Sequence, residues 1–378
     1  MYPRANEEQL FQSVQNDKVL LLIGARQVGK TTLLKRLQAR LQDKEVYFLS
    51  LEDPEIKGVL DEHPNKLFDI IGTVTDNKKY VFIDEIQYLK DPTNFLKFHF
   101  DVNKEKVKLI VSWSSAFYID KHFKDSLVWR KELFMIYTLS FDEFLVFKQK
   151  NELVQYLSQT DVPLLPKQEL NMLYGEYITY WWYPECVLLS SLEEKKKYLK
   201  EIATTYIKKD IGEAGVDQDQ KYFYLLKILA SQVGNLVNAN ELSNTLWLST
   251  TTVSKYLYIM EKSFHMSLIT PFFGNNIRKE LTRMPKVYFL DLWLRNYLTN
   301  NFEPFEVRVD KGPFLENIVF RQLVKTYELQ EIQFRRTQNK NEVDFVVGGK
   351  KAYEVKSSVG NMNPKKYCLL YTSPSPRD

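Results

Sequence analysis

A nine-residue run built on two glycines constrains this chain more than any other feature. Gly24-Ala25-Arg26-Gln27-Val28-Gly29-Lys30-Thr31-Thr32 follows the apolar stretch Val19-Leu20-Leu21-Leu22-Ile23 and opens Leu33-Leu34-Lys35-Arg36-Leu37. The succession reads as strand, loop and helix, and G-x-x-x-x-G-K-[ST] in that setting wraps backbone N–H groups around phosphates. Residues Gly24 to Thr32 are therefore expected to hold ATP, with Lys30 neutralising the outer phosphate charge and the Thr31 hydroxyl ligating Mg²⁺. A chance match in a glycine turn would lack the flanking strand and helix.

Roughly fifty residues further on, Tyr80-Val81-Phe82-Ile83-Asp84-Glu85 is an apolar run ending in two carboxylates. The spacing suits a second parallel strand reached through helical crossovers. Asp84 is expected in the Mg²⁺ shell, and Glu85 beside it to polarise the attacking water, which favours hydrolysis over mere binding. The alternative for Glu85 is a solvated acid at a strand end.

At 378 residues the chain has room for two or three domains, each with its own core. With 52 basic and 48 acidic residues, the net charge of +4 neither announces nor opposes nucleic acid, so any basic surface must be local. Cys186 and Cys368 stand far apart without metal-ligand spacing, which supports no disulfide framework or zinc site and suits a reducing cytoplasm. No apolar stretch approaches a membrane span, and Met1-Tyr2-Pro3-Arg4 leads into a polar helix rather than a signal peptide.

Strand-like and helix-like segments alternate through Glu45-Val46-Tyr47-Phe48-Leu49, the Asp84 strand, a helix from Thr93 to Asn103, Val107-Lys108-Leu109-Ile110-Val111 and Leu133-Phe134-Met135-Ile136-Tyr137. The expected fold is α/β, a doubly wound parallel sheet. Ser112-Trp113-Ser114-Ser115 would lie at the carboxyl edge where ligands of such sheets bind, making Ser114 either a γ-phosphate sensor or a turn serine. Arg130 precedes the last strand and reads either as a charge supplied to a phosphate, in trans across a contact with a second copy, or as a surface ion-pair partner. Ser140-Phe141-Asp142-Glu143 has the S-x-x-E capping box of a helix following the sheet.

The Gly24 to Thr32 run, Phe82-Ile83-Asp84-Glu85-Ile86-Gln87, the Ser112 to Ser115 strand end, Arg130 and Leu139-Ser140-Phe141-Asp142-Glu143-Phe144 together resemble the prokaryotic AAA-type P-loop ATPases that carry a C-terminal DUF4143 domain. The resemblance spans the chain to about residue 360. It implies an ATPase domain over 1–150, a helical connector over 151–215, a winged-helix domain over 216–300 and a restriction-nuclease-like domain over 301–367.

In the winged-helix stretch, Ala239 to Leu246 and Thr250 to Leu257 read as two helices about a Trp247-Leu248 corner, with Ser249 as cap. Thr251, Ser254 and Lys255 would then face DNA, unless the module serves protein contacts. Further on, Asn341 to Val347 and Ala352 to Lys356 read as strands paired about Gly348-Gly349. Asp344, Glu354 and Lys356 would lie on adjoining strands, with Glu316 as the helix acid of a nuclease-like site. Two acids and a lysine suit metal-dependent phosphodiester cleavage, and an exposed hairpin of alternating charge is the alternative.

All six tryptophans, Trp113, Trp129, Trp181, Trp182, Trp247 and Trp293, fall where the resemblance leads one to expect glycine. A codon read as glycine in the source but rendered as tryptophan would account for this, and ordinary tryptophan codons in the coding DNA would exclude it. Tyr371 to Asp378 has no hydrophobic period, and residues 368–378 read as a non-native tail after a truncated last domain. The leading expectation is a cytoplasmic Mg-dependent ATPase that couples nucleotide state to a winged-helix and nuclease-like module. The alternatives are a DNA-binding regulator gated by nucleotide and a protein-binding signalling ATPase.

Overall fold

The computed structural model describes residues 2–73, 77–114, 127, 129–180, 183–274, 278, 280, 283–336 and 342–356. They form two compact units. The first comprises the described residues within 2–162, 183–198 and 262–264; the second comprises those within 163–180, 199–261 and 265–356.

In the first unit, strands β1 (Val19–Ile23), β2 (Glu45–Ser50), β3 (Lys79–Asp84), β4 (Val107–Trp113) and β5 (Lys131–Met135) build one sheet in the order β2-β3-β4-β1-β5. Every pairing is parallel, with Leu21 of β1 set between Val111 and Leu133. β1, β3 and β4 are buried along their whole length, which is why they read as unbroken apolar runs rather than as alternations. Each fully buried Leu or Ile here stabilises the fold by about 1.5–3 kcal/mol.

Helices α1 (Glu7–Val14), α2 (Lys30–Ala39), α3 (Pro54–Glu62), α4 (Leu67–Ile71) and α5 (Pro92–Asn103) accompany the sheet. Their starts are written locally. Asp53 accepts from Glu55 N at 2.9 Å and Asp91 from Asn94 N at 2.9 Å, each followed by proline in the first turn. The chain leaves β1 for the edge strand β2 and returns across the sheet, so the carboxyl ends of β1, β3 and β4 share one edge around the reversal.

β5 starts at Lys131, two residues before the apolar run begins, because Val19 of β1 fixes its partner there. Ile136 and Tyr137 consequently lie past the strand, although Ile136 N still donates to Ile23 O.

The second unit is mainly helical. It contains Leu164–Tyr180, Asp219–Ser231, Ala239–Leu246, Leu292–Thr299 and Lys311–Thr326, an antiparallel pair β6 (Met266–Ile269) and β7 (Lys286–Phe289), and an antiparallel sheet of β8 (Ile332–Arg336), β9 (Glu342–Val347) and β10 (Lys351–Tyr353). Ala239–Leu246 meets the next helix, Thr250–Lys262, through a corner at Trp247, and Ser249 Oγ accepts from Thr252 N at 3.0 Å. Among the described residues no helix is long and apolar enough to cross a membrane.

Two tryptophans occupy backbone that glycine prefers: Trp129 at φ 76° and Trp247 at φ 53°, both almost fully exposed. Trp113 and Trp293 are instead completely buried. Trp181 and Trp182 lie outside the described residues, as does the 368–378 tail.

Candidate nucleotide site

The loop after β1 is shaped by its glycines. A Cβ on Gly24 would stand 2.0 Å from Ile136 O, so only glycine lets the loop start this close to the end of β5. Gln27 and Gly29 both take positive φ, 59° and 95°, and Gly29 serves as the N-cap of α2 without a side-chain cap. The first turn of α2 carries no acid. Its N–H groups and dipole are thus presented to an anion.

Lys30, 4% exposed, folds back along the loop and donates to Gly24 O at 3.0 Å and Ala25 O at 2.8 Å. Thr31 Oγ1 donates to Asp84 Oδ2 at 2.7 Å, which brings the end of β3 to the start of α2. Ser112 Oγ, at the end of β4, donates to Asp84 Oδ1 and accepts from Glu85 N at 2.9 Å. Thr31 and Asp84 are hard oxygen donors in contact, which fits Mg²⁺ sharing its shell with phosphates and water. Among the described residues no group of three or more His, Cys, Asp or Glu assembles a metal cage, and Mg²⁺ in such a setting requires none.

Glu85 sits in the left-handed region at φ 58°, ψ 50°, a conformation costing a non-glycine residue about 1–2 kcal/mol. Its carboxylate accepts from Ser114 Oγ at 2.6 Å and from Gln87 Nε2. Burial pushes the Glu85 carboxyl up, but the Lys30 charge, the Ser114 and Gln87 hydrogen bonds and the Arg26 charge outweigh it and hold the group below its ordinary range. Glu85 is therefore an ionised carboxylate at neutral pH, held in place beside Asp84. Ser114 lies at the edge where it was expected, with its hydroxyl committed to Glu85. Trp113, buried just before it, leaves that contact intact while its carbonyl accepts from Gly24 N at 3.3 Å.

Arg130 does not join this constellation within its own chain. Its carbonyl accepts from Val19 N at 2.8 Å, which fixes it at the opposite edge of the sheet from the loop, and its guanidinium pairs with Asp101 at 2.6 Å. Sequence reasoning gave no role of their own to Ser112 or Gln87. Ser112 and Gln87 flank residues that were singled out, so polar residues at the carboxyl ends of buried strands were the available signal.

In the second unit, Glu316 accepts from Tyr288 OH at 3.0 Å and lies 3.9 Å from Lys286 Nζ, which also pairs with Glu342. Burial raises Glu316 to about 7 against the Lys286 charge, and Asp344 nearby adds to the rise. Asp344 is raised by burial first, and its Oδ2 accepts from Val355 N at 2.7 Å. β10 ends at Tyr353, so Glu354 and Lys356 lie beyond the strand expected to hold them, where they pair with each other. The departure has a local cause, since the Asp344 side chain takes the Val355 N–H that a longer ladder would use. A lysine ammonium already lies among these acids, and they form no metal cage among the described residues. Glu316 and Glu342 are paired with Lys286, and Glu354 with Lys356, and no cleavage step follows from this arrangement.

Three family models match the chain: an AAA domain over residues 16–145, a domain of unknown function (DUF8612) over 171–304 and a domain of unknown function (DUF4143) over 311–373. The DUF8612 match spans most of the connector and winged-helix stretches together, and the DUF4143 match runs into the segment read as a tail. The chain is 26% identical over 341 residues to the uncharacterized protein MJ1544 of Methanocaldococcus jannaschii, covering 88% of this chain and 73% of that one. It is 27% identical to an uncharacterized protein of Haemophilus influenzae, covering 84% and 77%. In fold it is similar to the Walker-type ATPase PABY2304 of Pyrococcus abyssi, with a TM-score of 0.51 at 14% identity over 79% of this chain and 96% of that one.

Proposed function

We propose that this chain, an AAA-type P-loop protein with a C-terminal DUF4143 domain, hydrolyses Mg-ATP to ADP and phosphate and couples nucleotide state to its winged-helix and nuclease-like modules. The contact that carries the reading is Thr31 on Asp84, with Glu85 fixed beside it by Ser114 and Gln87. In this account the N–H groups from Gly24 to Thr32 bind the phosphates, and Lys30 swings from the loop carbonyls to the outer phosphate. Thr31 and Asp84 would hold Mg²⁺, which when bound would supply charge neutralisation to the phosphates. Glu85, already ionised, accepts a hydrogen bond from the attacking water and orients it.

Arg130 lies at the far edge of the sheet from its own loop, so a finger role would require a second copy of the chain. Steady-state ATP hydrolysis tests the reading. Wild type is expected to turn over with Mg²⁺ and Lys30→Ala to lose turnover; equal rates in the two refute it.

A second reading, a DNA-binding module, is favoured by one observation. Thr251, Ser254 and Lys255 are exposed on the helix after the Trp247 corner, where a recognition helix presents its contacts. Filter binding across salt concentrations tests it, with a steep loss of affinity expected and salt-insensitive or absent binding counting against it.

A further inference from the structure

The segment before α1 contributes a buried side chain to the underside of the nucleotide loop. Arg4, 7% exposed in its side chain, spends its guanidinium on three acceptors. Nε donates to Glu143 Oε1, Nη1 to Val28 O and Nη2 to Tyr137 O, each at 2.8 Å. Val28 is in the loop, Tyr137 follows β5, and Glu143 is the acid of the capping box that starts the helix Phe141–Phe147. The clasp therefore ties the segment before α1 to the loop and to the stretch from Tyr137 to Glu143.

Its acceptor is itself fixed. Glu143 also takes Ala5 N at 2.8 Å and Ser140 N at 2.9 Å. Burial pushes its carboxyl up, yet Arg4 and these N–H groups more than offset that and keep it ionised. The approach of the segment is secured from α1, where Glu7 pairs with Arg36 of α2 at 2.8 Å and Glu8 with Arg40 at 3.0 Å.

What the clasp does to the loop follows from peptide geometry. The Val28–Gly29 peptide is trans, as is every described peptide bond, so the Val28 carbonyl and the Gly29 N–H point in opposite directions. Arg4 pulls the carbonyl to the back of the loop, and a Cβ on Gly29 would lie 3.6 Å from Arg4 Nη1. The Gly29 N–H then faces away from Arg4, into the cradle. A positive charge on the carbonyl also polarises the peptide and strengthens its N–H as a donor.

We propose that Arg4 is a positioning residue of the nucleotide site: through Val28 it aims the Gly29 N–H at a nucleotide phosphate, and Glu143 holds it there. The inference rests on the ATP reading of the loop. The donor it aims meets the phosphate before and during reaction alike, so the clasp governs affinity more than the chemical step.

The test compares full-length wild type, Arg4→Met, Arg4→Lys, Glu143→Gln and Lys30→Ala by ATP hydrolysis, binding of a fluorescent ATP analogue and thermal unfolding. Arg4→Met is expected to raise both KM and the analogue Kd about tenfold, about 1.4 kcal/mol, with kcat within about twofold. Arg4→Lys, which keeps the charge and reaches fewer acceptors, is expected to recover part of the loss. A purely structural role would lower the unfolding temperature and leave KM unchanged in the folded fraction, and an Arg4→Met protein with wild-type KM and Kd overturns the proposal. Should Arg4→Met not fold, Glu143→Gln decides: a KM raised about threefold supports the clasp, and an unchanged KM refutes it. If wild type binds ATP and Lys30→Ala does not, a failure at Arg4 leaves the site reading standing; if wild type itself does not bind ATP, that reading falls first.

Discussion

Gly24 is the residue at which the loop's geometry and the sheet's packing meet, and Gly24→Ala tests both. The new Cβ would lie 2.0 Å from Ile136 O, a backbone atom that cannot rotate away. To reach an allowed contact of about 3 Å, the loop and the end of β5 must part by roughly 1 Å. Overpacking of this kind costs about 1–3 kcal/mol. The shift also strains the bonds Ile136 N to Ile23 O at 2.6 Å and Gly24 N to Trp113 O at 3.3 Å, adding about 1 kcal/mol. The expected loss is about 2–4 kcal/mol in urea unfolding. Because the same movement carries the phosphate cradle off its line by roughly 1 Å, turnover is expected to fall about a hundredfold. A variant within 0.5 kcal/mol of wild type that keeps wild-type turnover would show that the close approach does not shape the site.

His99 offers a pH prediction. It is buried against Phe95 and Phe98, with ring centroids 4.7 and 5.4 Å away, and burial lowers its pKa to about 4. Between pH 6.5 and about 4 the unfolded chain binds a proton there that the folded chain does not, so stability is lost as pH falls, by up to about 3 kcal/mol. The loss is expected in wild type over and above that in His99→Phe, and parallel pH curves for the two proteins contradict it. In the second unit, Lys286→Met leaves Glu316 and Glu342 without their shared cation and is expected to cost about 3 kcal/mol in denaturant unfolding; a neutral effect would mean the acids are satisfied without it. Trp247→Gly relieves left-handed backbone at a site where the ring is 88% exposed and is expected to raise stability by about 1 kcal/mol, whereas a loss would mean the ring is held by contacts of its own.

What was legible in the chain was what is local. The P-loop spacing, the apolar run ending in Asp84-Glu85 and the Ser140 capping box each declare themselves within ten residues, because strand burial, helix starts and glycine turns are short-range physics. The central parallel sheet follows from the same runs. Its strand order and the Arg4 clasp do not, since 139 positions separate Arg4 from Glu143 and no periodicity links them. Glu354 and Lys356 show the opposite failure. Their i, i+2 spacing promises a shared strand face, but one buried carboxylate, Asp344, takes the Val355 N–H and the strand ends early. Lys286 was invisible for a related reason, since a lone lysine in an apolar strand acquires meaning only from the acids that fold around it.

In the proposed function, the carboxylate held beside the Thr31–Asp84 pair drives hydrolysis. Single-turnover ATP cleavage by Glu85→Gln, measured together with ATP binding, tests it most directly. Binding is expected within about threefold of wild type, with a cleavage rate reduced by about a hundredfold or more. Cleavage at the wild-type rate by a Glu85→Gln protein that binds ATP normally would contradict it.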